Sequence, residues 1–100
     1  KITDLGITAT NLTDTLRTKF NIKKGVNGIV VTVVAPDGIG AETGMQVGDV
    51  ISEASQQEVK SVKELAERVA QAKKGGKPLL LLINRNDDMQ YLAITFAKKK

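Results

Sequence analysis

Short stretches in which apolar and polar residues alternate predict strands at several places in the chain. Residues 5–10 read Leu-Gly-Ile-Thr-Ala-Thr, which predicts a short strand entered through a turn at Gly6. The β-branched run at 29–34 is typical of a strand buried in a sheet. Further strands are predicted at residues 50–54, 79–83 and 90–96.

A helical pattern occupies residues 61–74. Ser61 is followed three residues later by Glu64, which is the spacing of a capping box at a helix start. Lys73-Lys74-Gly75 is typical of a helix end. One apolar stripe at helical spacing runs between these signals and consists of Val62, Leu65, Ala66, Val69 and Ala70. A second, shorter helix is predicted at 13–20, with Thr13 as its cap.

Turn chemistry separates these elements. Pro36-Asp37-Gly38 is a turn, and the segment 36–49 is predicted to be compact connection with at most one helical turn at 41–43. Asn86-Asp87-Asp88 turns the chain back, so the last two strands form a hairpin. Strands and helices do not alternate strictly. This order predicts an α+β fold, a partly open barrel or sandwich of five to six antiparallel strands with one long and one short helix.

Length and composition indicate a single globular domain. The chain has 100 residues, of which 41% are hydrophobic and 26% charged, and a chain of this size forms one core. We predict one domain over 1–97 followed by a basic tail at 98–100. No apolar run reaches the ~18 residues of a membrane span, and the polar N-terminus has no signal-peptide pattern, so no membrane insertion is expected.

The residues that are missing exclude most catalytic chemistry. The sequence has no His and no Cys, so it has no Ser-His-Asp or Cys-His catalytic group and no zinc site built on these residues. Asp87-Asp88 are adjacent in a turn, and Gly38-Ile39-Gly40 lacks the Lys-Ser or Lys-Thr pair of a phosphate loop. We therefore expect no enzyme activity in this chain, no metal site and no cofactor.

The net charge of +4 does not indicate a nucleic-acid partner. Without Lys1 and the three terminal lysines, the basic count falls from 15 to 11 and equals the 11 acidic residues. Nucleic-acid modules need a basic face, often with aromatic side chains for stacking, and this chain has three aromatic residues in all.

One constellation indicates binding. Gly6, flanked by Leu5 and Ile7, precedes a strand, and the capped helix at 61–74 carries small and medium apolar residues. An exposed edge strand beside a helix leaves a groove in which an extended peptide can pair with the strand. The amides of a glycine turn can hold a terminal carboxylate. The other reading is that Leu5 and Ile7 are ordinary core residues and Gly6 an ordinary turn.

These residues also carry a family resemblance. The segments 5–7, 27–31, 44–51 and 59–65 resemble a PDZ domain in its bacterial arrangement, and the resemblance covers about residues 4–97. Within that superfamily the chain is most similar to the PDZ modules of HtrA/DegP-type serine endoproteases, and we assign it to the C-terminal one. The Gly-x-x-x-Gly-Asp-Val-Ile stretch at 44–51, placed before a capped helix, is the most specific part of the match.

The resemblance implies a peptide-binding site. The loop Leu5-Gly6-Ile7 occupies the place of the family's carboxylate-binding loop, so the Gly6 and Ile7 amides would receive a peptide's C-terminal carboxylate. Ile7, Thr8 and Ala9 would form the pairing strand. Residues of the helix that would face the groove are Val62, Ala66, Val69 and Ala70, with Leu65 left to the core. Small apolar groove residues predict a preference for an apolar C-terminal side chain.

Two departures from the family pattern bear on this site. Asp4 adds a negative charge beside the expected carboxylate position, and Gln56-Gln57 replaces the family's usual Asn-Gly turn.

The resemblance also implies a parent protein, and two alternatives to it remain. The parent would be a periplasmic serine endoprotease of protein quality control, whose separate protease domain cleaves while this module binds peptide or unfolded-protein segments. An assembly module that docks on neighbouring domains or subunits is one alternative, and C-terminal modules of this family often have that role. Another envelope protease or a secretion component as the parent is a second alternative.

Overall fold

The computed structural model describes residues 5–23, 25–85 and 88–95. Within these ranges the chain forms nine elements, which in chain order are β1 (Ile7–Asn11), α1 (Asp14–Phe20), β2 (Ile29–Val34), α2 (Ile39–Thr43), β3 (Val50–Ala54), β4 (Gln57–Glu58), α3 (Val62–Gly75), β5 (Leu79–Arg85) and β6 (Asp88–Ile94). Asp4, Asn86, Asp87, Phe96 and the lysine tail, which the sequence analysis singled out, lie outside the described residues.

All the described strands belong to one open antiparallel sheet. Its order is β1-β2-β3-β5-β6, and the short β4 pairs with β3 beside this path. Every pairing is antiparallel. The predicted α+β architecture is therefore confirmed, with six strands and three helices, one of them long.

The core lies between one face of the sheet and α3. Side chains of β5 alternate between buried and half-buried, as the period of a strand requires. Leu65 and Val69 of α3 enter the same buried cluster as Leu79 and Leu81 of β5. Each fully buried leucine stabilises the fold by about 1.5–3 kcal/mol relative to an exposed one. This packing fixes α3 against the sheet.

The capping box at the start of α3 forms with one difference. The Ser61 hydroxyl accepts from the Glu64 amide at 3.2 Å, as predicted. The Glu64 carboxylate reaches back one residue further than in the usual box and accepts from the Lys60 amide at 2.8 Å. At the other end Gly75 is the last helical residue, and Gly76 with φ of 67° takes the left-handed conformation that ends the helix.

The short helix α1 forms as predicted, whereas the segment 36–49 contains a longer helix than predicted. Thr13 caps α1 by accepting from the Leu16 amide at 3.2 Å. The segment 36–49, predicted as connection with at most one helical turn at 41–43, contains α2 starting two residues earlier, at Ile39. Gly38 is its extended N-cap, and the Gly38 carbonyl accepts from the Glu42 amide at 3.1 Å.

The β5–β6 and β3–β4 hairpins have turns at slightly different positions from those predicted. β5 extends to Arg85 and β6 begins at Asp88, which pairs with Arg85, so Asp88 belongs to the strand rather than the turn. Between β3 and β4 the turn residues are Ser55 and Gln56, with φ of 55° and 69°. Both are in the left-handed region, which is the geometry that an Asn-Gly turn provides at lower cost. The turn therefore lies one residue earlier than the predicted Gln56-Gln57, because Gln57 is the first residue of β4.

A buried ion pair ties the segment before β3 to the end of β5. Arg85 donates from Nε and Nη2 to the two carboxylate oxygens of Asp49, each at 2.7 Å. Asp49 also accepts from the Gln46 amide at 2.9 Å, and Arg85 donates to the Gly44 carbonyl at 2.9 Å. The bond to Asp49 raises the pKa of Arg85 above its ordinary value, against the lowering effect of burial. Asp49 of the Gly-Asp-Val-Ile stretch thus has a structural role.

Candidate functional site

Strand β1 is an edge of the sheet. It pairs with β2 on one side, and no other described strand pairs with it on the other side. Helix α3 lies beside this open side, because the Asn11 side chain at the end of β1 accepts from the Val62 amide at the start of α3 at 3.1 Å. The predicted combination of an edge strand and a neighbouring helix is therefore present.

The register shows which backbone groups of β1 face outward. Ile7 lies opposite Val34, and the Ala35 amide donates to the Gly6 carbonyl at 2.8 Å. That bond makes Ile7 and Val34 a non-hydrogen-bonded pair, so the N–H and C=O of Thr8 point to β2 while those of Ile7 point to the open edge.

The same alternation continues beyond an irregularity between Thr8 and Ala9. Ala9 lies opposite Val31, whose amide donates to the Asp49 carbonyl and whose carbonyl accepts from the Gly48 amide, both at 2.8 Å. Because Val31 is bonded toward β3, the backbone groups of Ala9 also face the open edge. Within the described part of the chain, Ile7 and Ala9 thus offer backbone donors and acceptors that no other strand uses.

The turn before β1 requires glycine at position 6. Gly6 has φ of 69°, and a Cβ built there would lie 2.9 Å from the Gly38 Cα. A larger residue would be strained by both its backbone conformation and this approach. Among the described residues no loop carbonyl accepts from the Gly6 or Ile7 amide. These successive N–H groups can form the kind of concavity that binds an anion.

The predicted groove residues of α3 divide into two groups. Val69 is 1% exposed and packs in the core with Leu65, while Val62 is half-buried against that core. Ala66 and Ala70 are exposed. The wall of the groove on the helix side therefore consists of small side chains, with Val62 at the end next to Asn11.

The strand contributes the floor of the groove. Leu5, Ile7 and Ala9 are all buried and belong to the core cluster, while Thr8 is half-buried on the other face. The alternative reading of Leu5 and Ile7 as core residues is thus correct for their side chains. It does not exclude a site, since the groups available for pairing are in the backbone.

The predicted residues lie along the open edge of β1 and on α3, and they do not enclose a cavity. A cleft of about 530 Å³ lies beyond the far end of β1, and residues from several elements line it, among them Asn11, Arg17, Ser52, Glu58 and Lys60. None of the nine predicted site residues lines this cleft. The groove and the cleft meet at Asn11.

Sequence reasoning missed Asn11 as a residue of the site. Its partner Val62 is 51 positions away, so no local pattern indicates their hydrogen bond. The only signal in the sequence is an amide side chain at the end of an alternating strand.

Metal and membrane chemistry receive no support from the described residues. Across 5–23, 25–85 and 88–95, no group of three or more acidic residues, His or Cys could hold a metal ion. In the same part of the chain no helix has the length and apolar character needed to cross a membrane. The arrangement offers backbone hydrogen bonds and apolar contact, which are the means of binding an extended chain.

Comparison with known proteins assigns the family. The family model described as "PDZ domain" matches residues 3–96, almost the whole chain. The chain belongs to the PDZ domain family. The resemblance inferred from the sequence motifs is therefore confirmed.

Curated relatives of this PDZ domain are bacterial proteases. A protein of Bartonella henselae named "Probable periplasmic serine endoprotease DegP-like" is 37% identical over 73 residues, which cover 72% of this chain and 14% of the relative. A protein of the same name from Rickettsia conorii is 33% identical over 94 residues, covering 93% of this chain and 18% of the relative. The PDZ domain thus spans less than a fifth of the length of these relatives.

Solved structures similar to this PDZ domain include peptide complexes. The HtrA-type protease AlgW with a decapeptide has a TM-score of 0.79 and 28% identity, covering 91% of this chain and 27% of that one. The HtrA3 PDZ domain bound to a phage-derived ligand, FGRWV, has a TM-score of 0.72 and 28% identity, covering 91% of this chain and 81% of that one. The chain is thus a PDZ domain of the HtrA/DegP type.

Proposed function

We propose that this PDZ domain binds the C-terminal segment of peptides or unfolded proteins by strand addition to β1. The observation that carries the proposal is the open edge of β1, where the backbone groups of Ile7 and Ala9 face outward and no strand of the described residues pairs with them. An antiparallel peptide would pair its last residue with Ile7 and its third residue from the end with Ala9. Two named neighbours, AlgW and HtrA3, bear peptide ligands, which supports a peptide as the partner.

The terminal carboxylate would lie at the turn that precedes β1. A peptide whose last residue pairs with Ile7 ends beside the Gly6 turn, where the Gly6 and Ile7 amides are available. Hydrogen bonds to a charged group contribute about 1.5–3 kcal/mol each, more than neutral ones. The site would therefore discriminate between a free and a blocked C-terminus.

The last side chain of the peptide would be apolar. It shares the face of Ile7, a buried residue, and lies level with the later turns of α3. The distance from Asn11 back to Ile7 is about 13 Å along the strand. A helix needs roughly nine residues to cover the same distance. The part of α3 that lies level with Ile7 is therefore near Ala70. Small apolar walls and few polar bonds predict affinity on the order of micromolar, about 8 kcal/mol.

The role of the domain would be regulatory. The chain has neither His nor Cys, so peptide cleavage by a serine endopeptidase would take place in another domain of the parent protein. Relatives named as periplasmic endoproteases support a periplasmic parent that selects its substrates or senses them through this domain. As the sequence resemblance implies, it would be the C-terminal PDZ module of such a protease.

A substitution on the exposed wall of the groove tests this proposal. Ala66 to tryptophan, A66W, is expected to weaken binding of the peptide Phe-Gly-Arg-Trp-Val by about tenfold or more, because the indole would fill the space needed by the peptide side chains. Isothermal titration calorimetry measures the effect. Q71W is the matched control, since Gln71 is also exposed on α3 and points away from Ala66.

The control also separates the two candidate roles. Equal affinities of A66W, Q71W and the unaltered protein would contradict the groove.

An assembly role is favoured by the exposed apolar side chains of Met89 and Tyr91 on β6, at 53% and 58% exposure. Concentration-dependent self-association in sedimentation, with no response to any peptide, would support assembly in place of peptide capture.

A further inference from the structure

Strand β6 forms the second edge of the sheet. It pairs with β5 over all seven of its residues, and no other described strand pairs with its far side. The Leu80 carbonyl accepts from the Ser55 amide at 2.8 Å, so the backbone groups of Leu80 face β3. Leu80 lies opposite Ala93, and the N–H and C=O of Ala93 therefore face the open edge. By alternation, those of Tyr91 and Met89 face it as well.

This edge lacks the features that usually prevent pairing with another strand. Edge strands are commonly protected by proline, by lysine or by a bulge. β6 contains neither proline nor lysine, and its register with β5 runs without irregularity, whereas that of β1 with β2 shifts between Thr8 and Ala9. Helix α2 lies near β6, but no backbone hydrogen bond of the described residues joins the two. The backbone groups of β6 are thus open to a further strand.

The outer face of the β5–β6 hairpin is apolar. Met89 and Tyr91 are 53% and 58% exposed, and Ala93 is exposed on the same face. Leu80 and Leu82, which lie opposite Ala93 and Tyr91, are half-buried on that face. A sheet face in contact with water usually carries polar side chains at these alternate positions. This departure indicates that the hairpin meets another protein surface.

The strand is suited to pairing with itself. Tyr91 is its middle residue, so a two-fold axis at Tyr91 would pair all seven residues of β6 with those of a second copy. Tyr91 would lie opposite Tyr91, and Met89 opposite Ala93. These are the residues whose backbone groups face outward, so the pairing would form about six hydrogen bonds. Apolar and aromatic cross-strand pairs add to such a contact.

The charges of the chain favour the same arrangement. Asp88 is the first residue of β6, and the sequence beyond its last residue continues to the lysines at 98–100. In an antiparallel pair the acidic start of each strand lies at the end of the other, where the chain leads to these lysines. The two copies thus bring opposite charges toward each other and keep the two Asp88 side chains apart.

We propose that β6 pairs with β6 of a second copy of this domain, in a symmetric dimer centred on Tyr91. The sheet then continues through both molecules. This inference goes beyond peptide binding and does not depend on it. Because β1 and β6 are at opposite ends of the strand order, the dimer leaves the edge of β1 available.

Sedimentation equilibrium of matched charge variants tests the dimer. The unaltered domain is expected to associate as its concentration rises. Y91K should raise the dissociation constant of the dimer by about tenfold or more, because it places two positive charges directly opposite each other. V33K is the control, since Val33 on β2 is 54% exposed and the change in charge is the same. An equimolar mixture of Y91K and Y91D should associate more tightly than either variant alone.

A disulfide tests the position of the axis. The chain has no cysteine, so Y91C carries a single thiol. Directly opposed residues of a hydrogen-bonded pair have Cα atoms about 5.5 Å apart, which lies within the range of a disulfide. Y91C should therefore form a covalent dimer on mild oxidation, and V33C should remain monomeric under the same conditions.

The opposite results would overturn the inference. A domain that stays monomeric up to about 1 mM does not pair through β6. Equal effects of Y91K and V33K would place the contact elsewhere, and a mixture of Y91K and Y91D that fails to associate would exclude an axis at Tyr91. If Phe-Gly-Arg-Trp-Val shifts the amide signals of Met89 and Tyr91 in a monomeric protein, β6 takes a peptide instead of a second copy. Loss of peptide binding at β1 with the dimer intact would contradict only the proposed function.

Discussion

Replacing Arg85 with alanine, R85A, is expected to lower the free energy of unfolding by about 3–5 kcal/mol. Asp49 is 1% exposed, and its carboxylate receives two hydrogen bonds of 2.7 Å from Arg85. Without the guanidinium, a buried negative charge would keep only the bond from the Gln46 amide. A domain of this size has a total stability of about 5–15 kcal/mol, so R85A is expected to remove a large part of it.

Substitution of Asp49, D49A, shows how much of the loss in R85A comes from a buried charge without a partner. In D49A the remaining guanidinium can turn to water, because the Arg85 side chain is already 24% exposed. The double variant R85A/D49A carries no buried charge and should be more stable than R85A by about 1 kcal/mol or more. Urea denaturation measures all three proteins. A loss below about 1 kcal/mol in R85A would contradict a buried, structural ion pair.

Replacing Ala9 with proline, A9P, is expected to weaken peptide binding by about 100-fold. The amide of Ala9 faces the open edge of β1, so proline removes a donor to the peptide without removing a bond to β2. Its ring would also occupy the position that the peptide backbone needs. Proline is tolerated on an edge strand where the lost N–H points away from the sheet. Isothermal titration calorimetry with Phe-Gly-Arg-Trp-Val measures the effect.

Two comparison variants make this result specific. A9G keeps the amide and adds no volume at the buried position of Ala9, so it should retain most of the affinity. T10P removes an amide that the alternation directs to β2, and it should unfold the domain rather than only stop binding. If A9P unfolds as T10P does, the Ala9 amide belongs to the sheet. If A9P binds like the unaltered protein, strand addition at β1 is wrong.

The sequence predicted those parts of the fold that depend on local pattern. The alternation after Gly6, the β-branched run of β2 and the capping box of α3 all lie where expected, since strand period and helix capping are properties of neighbouring residues. The first two residues of α2 and the short β4 were missed. α2 packs against a distant part of the chain, since a Cβ added at Gly40 would lie 2.7 Å from the Ile7 side chain. β4 was missed for a local reason, because it pairs with β3 across a left-handed turn at Ser55 and Gln56 that these residue types do not indicate.

The candidate site was predictable to a similar extent. The turn at Gly6 and the helix that carries the apolar stripe form where the sequence predicted them, because glycine and apolar spacing are visible in the sequence. Their role in binding a peptide stays a prediction. The burial of Val69 and the exposure of Ala66 could not be read from the stripe, because both residues fit its spacing. Asn11 escaped detection since its role depends on the approach of two elements that are far apart in the chain.

The most direct test of the account is an NMR titration of the ¹⁵N-labelled protein with Phe-Gly-Arg-Trp-Val. The peptide is used once with a free C-terminus and once with an amidated one. We expect the free peptide to shift the amide signals of Gly6, Ile7 and Ala66, and the amidated peptide to leave them unshifted at the same concentration. Equal shifts with both peptides, or shifts confined to residues away from β1 and α3, would contradict carboxylate capture at the open edge.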